Sequence, residues 1–163
     1  MGGFTVSEEQ TFEQEQLVVF EVGDESFGID ISLVQEIIRL QPITEVPRAP
    51  MYVKGVINLR GKVIPVIDVR ERFSIGMSEE TKATRIVVVD VLGNIVGMIV
   101  DAVSEVLRLA TDSIEPPSNI VGSVGSQYLR GIGKLEDKLI ILLDLDKLLV
   151  EMGANLVGMA EIA

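Results

Sequence analysis

Histidine, cysteine and tryptophan are all missing from these 163 residues. Without cysteine there is no disulfide framework and no zinc–thiolate site. Without histidine as well, the Ser-His-Asp and Cys-His nucleophile systems cannot be built. Imidazole acid–base chemistry and His-ligated transition metals go with them. Aromatics are scarce, five Phe and two Tyr, which leaves few stacking platforms for bases or sugars. Basic residues are outnumbered, 14 Lys plus Arg against 25 Asp plus Glu, for a formal net charge of −11. A phosphate backbone is repelled by such a chain, so nucleic acid is not an expected partner. Long apolar runs are lacking too. Ile86–Val89 and Leu139–Leu143 fall far short of the ~20 residues that span a bilayer. Residues 1–15 hold neither Lys nor Arg nor a continuous apolar stretch. No signal peptide and no membrane insertion are therefore expected, and a cytoplasmic protein is.

What is present is aliphatic: 47% of the residues are hydrophobic. A chain of this length forms one compact unit or two small subdomains sharing a core, and buries roughly 68–70% of its unfolded surface. Residues 1–15 carry four Glu among Gly, Ser, Thr and Gln and read as a mobile acidic tail. Order is expected from Gln16, with a hairpin of Gln16–Val22 and Ser26–Asp30 about a Gly23-Asp24-Glu25 turn. Ser32-Leu33-Val34-Gln35 matches a capping box, and Leu33, Ile37 and Leu40 fall on one stripe, which predicts a short helix. Pro42, Pro47 and Pro50 forbid its continuation and imply an extended connector with one or two isolated strand pairings. Gly55–Arg60 and Val63–Asp68 read as strands about a Gly61-Lys62 turn, followed by one helical turn over Val69–Phe73. Further strands are predicted at Arg85–Leu92, Ile95–Val100, Val103–Leu109, Tyr128–Leu135 and Leu139–Leu143. A short helix capped by Asp144 or Asp146 then closes the domain at about Met152, leaving 153–163 as a second tail. Ten or so short strands at 8–12-residue spacing mean an all-β fold with short helices. The recurrence of strand–turn–strand units in both halves suits two small barrels.

Few constellations carry chemistry. Asp144 and Asp146, Glu8 and Glu9, and Glu79 and Glu80 lie close in sequence. None sits in the oxygen-rich, Gly-hinged loop that a hard cation needs, so no metal and no cofactor is expected. A small carboxylate-based hydrolase on a β-barrel is the alternative function that this inventory leaves open. Gly122-Ser123-Val124-Gly125 and Gly131-Ile132-Gly133-Lys134 lack P-loop spacing and read as turn chemistry. Arg60 stands apart, because it ends an apolar strand and must be solvated or paired. Glu36 is its expected partner, and the value of such an exposed pair is positional rather than energetic.

The strings around Arg60 make the sequence recognisable. Val34-Gln35-Glu36-Ile37-Ile38, Ile43-Thr44-Glu45-Val46-Pro47, Gly55-Val56-Ile57-Asn58-Leu59-Arg60-Gly61 and Val63–Asp68 resemble the CheW family of bacterial chemotaxis coupling proteins. So do Val96–Asp101, Val106-Leu107, Leu129-Arg130-Gly131 and Leu139–Asp144, in the same order, over about 16–152. The resemblance implies two SH3-like five-stranded β-barrel subdomains packed around a shared hydrophobic core, and no enzymatic activity. It implies an adaptor between the regulatory domain of the histidine kinase CheA and the cytoplasmic tips of chemoreceptors. Such an adaptor would be cytoplasmic and recruited to receptor arrays at the inner face of the membrane. Carried over by position, receptor binding falls to Val18, Ile31, Val34, Glu36, Ile37, Arg60 and Val103, and kinase binding to Val46, Tyr52 and Gly55. A helix laid in a groove needs an apolar trough with a polar rim, which these side chains could supply. With no phosphotransfer His and no receiver module, the chain resembles the free-standing form of the family.

Overall fold

The computed structural model describes residues 14–73, 75, 80–116 and 128–149. Eleven strands occur among them: β1 Gln14–Val22, β2 Glu25–Asp30, β3 Val34–Arg39, β4 Val53–Leu59, β5 Lys62–Asp68, β6 Arg85–Val91, β7 Asn94–Val100, β8 Ala102–Ala110, β9 Ile114–Glu115, β10 Leu129–Leu135 and β11 Lys138–Leu143. They form two sheets. Sheet one runs β8-β1-β2-β11-β10-β9, and sheet two runs β3-β6-β7-β5-β4. Sheet two has the five strands expected of a small barrel. Sheet one has five of similar length and gains the two-residue β9, which no pattern in the sequence announces. The result is all-β, with two SH3-like subdomains and only short helical pieces, among them α1 (Val69–Arg72), capped by Asp68 accepting from the Arg70 N–H at 3.0 Å.

The core explains the pairing of the sheets. Leu17, Val19, Leu109, Ile140 and Leu142 fill the interior of sheet one, and Ile57, Ile64, Val66, Ile86 and Val88 that of sheet two. Strands alternate their faces, so the intervening residues point the other way and meet between the sheets. There Val18, Phe20, Phe27 and Ile29 of sheet one pack with Ile67, Val87, Val89 and Met98 of sheet two. Phe27 is stacked between Phe20 and Phe73, with ring centroids at 5.7 and 6.0 Å. This shared cluster is the largest of the three, so the two barrels are one packing unit.

Asp101, between β7 and β8, ties the subdomains with hydrogen bonds. Its Oδ2 accepts from the Gly23 N–H of the β1–β2 turn at 2.8 Å and from the Arg70 guanidinium of α1. Its own N–H donates to the Glu21 carbonyl at 3.0 Å.

Four expectations are corrected. The helix predicted after Ser32 is a single 3-10 turn, Ile31–Leu33, followed by strand β3. The turn is capped by Asp30, whose Oδ1 accepts from the Ser32 N–H at 2.9 Å, and not by a Ser32 capping box. Arg60 ends no strand. It occupies the tip of the β4–β5 hairpin at φ +51°, with Gly61 at φ +86°. A two-residue loop with both residues in the left-handed region matches the twist of the flanking strands. Leu92-Gly93 repeats that geometry between β6 and β7. Gly131 and Gly133 lie inside β10 rather than in a turn. A Cβ on Gly131 would come within 2.7 Å of Ile114 and one on Gly133 within 2.5 Å of Leu109, so close packing selects glycine there. Finally, Gln14 and Glu15 belong to β1, and Glu15 pairs with Arg130 at 2.7 Å, so the expected tail is shorter by two residues. Residues 1–13, Gly122–Gly125 and 153–163 lie outside the described residues. The closing helix is present over 145–149, with Asp144 Oδ1 accepting from the Lys147 N–H at 3.1 Å.

Candidate functional site

β8 is one edge of sheet one and β3 is one edge of sheet two. The 3-10 turn Ile31–Leu33 packs against both β1 and β6, the strands next to those edges. It therefore lies between the two edge strands, and the surface that β3 and β8 flank over it is the candidate groove.

Register shows what each wall presents, because directly opposed residues in an antiparallel pair share a face. Val34 and Ile37 oppose Val89 and Val87, both members of the shared core. Val103 and Val106 oppose Phe20 and Val18, also of that core. The four side chains thus lie on the groove side. Spacing of three on one face is foreign to a regular strand and is created here by bulges. Gln35 is the extra residue in β3 and Ser104 in β8, where the ladders shift register. The Ser104 hydroxyl donates to the Val19 carbonyl at 3.2 Å and holds the second bulge in place.

Exposure rises toward the rim. Val18 is core, only 2% exposed, so of the trough residues named from the sequence it can act only from beneath. Ile31, Val34 and Val103 are half-buried against the shared core, and Ile37 is 39% exposed. Val106, 51% exposed, belongs to the same wall and was not anticipated. Strict alternation from Val103 would have put it on the opposite face.

Glu36 and Arg60 do meet. Arg60 Nη1 and Nη2 donate to the two carboxylate oxygens of Glu36 at 2.5 and 2.7 Å, a bidentate pair. Glu36 opposes Val88 and so lies on the barrel-interior side of β3, at its rim. The pair joins β3, one edge of sheet two, to the tip of the hairpin that carries β4, the other edge. The Thr44–Val56 bridge ties the same hairpin to the connector. Hydrogen bonds from Arg60 hold the Glu36 carboxyl below its ordinary range, against partial desolvation and with help from the Arg60 charge. The same contacts raise Arg60.

The residues carried over for kinase binding gather on the connector between β3 and β4. Val46 and Tyr52 are half-buried against the shared core. Beside them Met51, which the sequence did not single out, is 83% exposed. The guanidinium of Arg72 lies 5.7 Å from the Tyr52 ring centroid and 4.8 Å from that of Tyr128. Gly55 is different. It is buried at φ +148°, and a Cβ there would stand 2.0 Å from the Thr44 carbonyl oxygen. It is the seat of the connector rather than a surface contact.

The hydrolase alternative finds no support. Asp144 is a helix cap, Asp146 and Glu80 are exposed, and the remaining acids of those pairs lie outside the described residues. Among the described residues no cluster of three or more acidic, His or Cys side chains could hold a metal ion, and no helix is long and apolar enough to cross a membrane.

Comparison with known proteins agrees with this architecture. The family model for the CheW-like domain matches residues 16–152. A chemotaxis protein CheW of Rhizobium meliloti is 39% identical over 131 residues, covering 80% of this chain and 84% of that one. Its counterpart in Klebsiella aerogenes is 36% identical over 135 residues, covering 83% and 81%. The crystal structure of the scaffolding protein TtCheW from Thermoanaerobacter tengcongensis superimposes with a TM-score of 0.76 at 44% identity, over 80% of this chain and 84% of that one. On the strength of a domain match from 16 to 152 and a shared two-sheet fold, the chain belongs to the CheW family of chemotaxis scaffold proteins.

Proposed function

We propose that the chain is a non-catalytic adaptor that couples the cytoplasmic tips of chemoreceptors to the histidine kinase CheA, from the cytoplasmic side of the membrane. The observation that carries this reading is the groove between the barrels. Its aliphatic walls, Val34 and Ile37 on one side and Val103 and Val106 on the other, suit a helix that inserts side chains at i, i+3 and i+4. Ile31 supplies the floor over Val18. Glu36 and Arg60, on the opposite face of β3, hold that wall to the β4–β5 hairpin.

The connector with Val46, Met51 and Tyr52 is a second apolar surface, separate in sequence from the groove, and suits the kinase's regulatory domain. Gly55 supports it from below. Two surfaces on one packing unit are what an adaptor requires, since binding at one then fixes the position of the other. The test is reconstitution. Receptor-containing membranes and CheA should show a rise in kinase autophosphorylation when this protein is added. No rise, together with no retention of either partner in pull-down, would refute the adaptor reading.

A further inference from the structure

Both walls of the groove end in an arginine. Arg39 opposes Arg85 on β3 and β6, two residues beyond the Ile37–Val87 pair, so both arginines lie on the groove face. Arg108 opposes Gln16, two residues beyond the Val106–Val18 pair, and lies on the same face of β8. Arg39 and Arg108 are exposed and make no ion pair with any described residue. Arg85 turns back onto the carbonyls of Lys82 and Thr84, at 2.8 and 2.9 Å, and does not neutralise its neighbour. Like charges placed directly opposite destabilise a sheet, so the Arg39–Arg85 pair has a cost and no visible structural return.

The two arginines stand at opposite ends. β8 starts two residues after Val100, which opposes Arg85, and so begins near Arg39. Near its far end Arg108 and Leu107 stand beside Gln16 and Leu17, and Leu17 opposes Asp30, from which the chain enters β3. Arg108 therefore lies by the Val34 end of the groove. The separation is about one strand length, roughly 15 Å, which corresponds to about ten residues of helix.

We propose that Arg39 and Arg108 make the groove selective for an amphipathic helix whose apolar stripe is bracketed by a carboxylate at each end. The inference rests on the receptor reading and adds the chemistry of the helix to it. In a chain of net charge −11, two cations without an ion pair among the described residues also give an acidic helix a local attraction at the groove ends.

The test uses the full chain and a soluble cytoplasmic fragment of a chemoreceptor, with titration at two salt concentrations. Arg39→Gln and Arg108→Gln should each weaken binding about two- to fivefold and flatten its salt dependence, while the thermal melt stays at wild type for Arg108→Gln and at or slightly above it for Arg39→Gln. Synthetic helices with one apolar stripe and Glu, Gln or Lys at its two ends should bind in the order Glu, Gln, Lys, and that order should collapse in the double variant. Wild-type binding to the fragment that both variants leave unaltered, or peptides that bind alike, overturns the inference alone. Failure of the wild-type chain to bind the fragment at all overturns the receptor reading, and the inference falls with it.

Discussion

Replacing Gly55 with alanine should separate the two surfaces of the adaptor. The Cβ would stand 2.0 Å from the Thr44 oxygen and 2.7 Å from its carbonyl carbon, both backbone atoms that no rotamer change can move aside. Either the connector lifts or β4 buckles. Lifting breaks the Thr44–Val56 bridge, whose two hydrogen bonds measure 2.9 and 2.8 Å. Each is worth about 1 kcal/mol net. An alanine held at φ +148° costs a further ~1–3 kcal/mol. A total loss of about 3–5 kcal/mol is a large part of the ~5–15 kcal/mol that stabilises a small protein. The displaced segment carries Val46, Met51 and Tyr52 but not the groove. Urea denaturation should give the stability loss. Hydrogen exchange should show deprotection of the Thr44 and Val56 amides, and calorimetry should show weakened binding to the kinase's regulatory domain with receptor-fragment binding largely kept. Wild-type stability with both amides still protected would refute the packing argument. Wild-type kinase binding by a variant whose connector has demonstrably lifted would refute the assignment of the kinase surface.

Other perturbations reach different parts of the molecule. Phe27→Ala removes a fully buried ring stacked between two others and should cost about 3–5 kcal/mol. Unfolding should remain a single transition because the cluster is shared, and two resolved transitions would show the barrels to be independent. Asp101→Ala leaves the Gly23 N–H and the largely buried Arg70 guanidinium without this acceptor and should cost about 1–3 kcal/mol, read by chemical denaturation. Arg60→Ala and Glu36→Lys should weaken receptor coupling in the kinase assay with melts near wild type, and loss of fold in both would return the pair to a structural role. Because the Glu36 carboxyl titrates below its ordinary range when folded, the pair's contribution is present above the unfolded carboxylate pKa and lost as pH falls through the folded value. Receptor binding should thus be flat from neutral pH down to the ordinary carboxylate range and decline only below it. A midpoint above that range would exclude Glu36 as its source.

Most of the fold was legible because hairpins announce themselves. Arg60-Gly61, Leu92-Gly93 and Glu136-Asp137 each separate two β-branched or aliphatic runs, and each run became a strand within a residue or two. What the pattern hid lies at the two bulged strands, the strand nature of β3 and the facing of side chains in β8, and for one reason. A bulge inserts a residue and moves side chains three apart onto one face. Around β3, Leu33, Ile37 and Leu40 imitate a helical stripe, whereas the pair that shares a face of the strand is Val34 and Ile37. In β8 the same spacing hid Val106 from a strict alternation. The Arg60–Glu36 contact was found by asking where an isolated charge must go, a question that does not depend on the element carrying Glu36. Met51 gave no signal, since an exposed methionine in a proline-rich connector looks like any loop residue.

The parallel ladder between β2 and β11 sets Ser26 against Ile140. Sheet one is thus made from residues 14–30 and 102–143, and sheet two occupies the intervening stretch. A chain emerging from the ribosome can complete sheet two as soon as Val100 is free, whereas the first hairpin waits for β8 and then β11 before both of its sides are paired. Closing that long loop is the entropically slow step, since non-local pairing comes only after the ends have met. The topology thus predicts assembly from the middle of the sequence outward, with a chain stopped short of Leu143 holding a finished insert and an unfinished host.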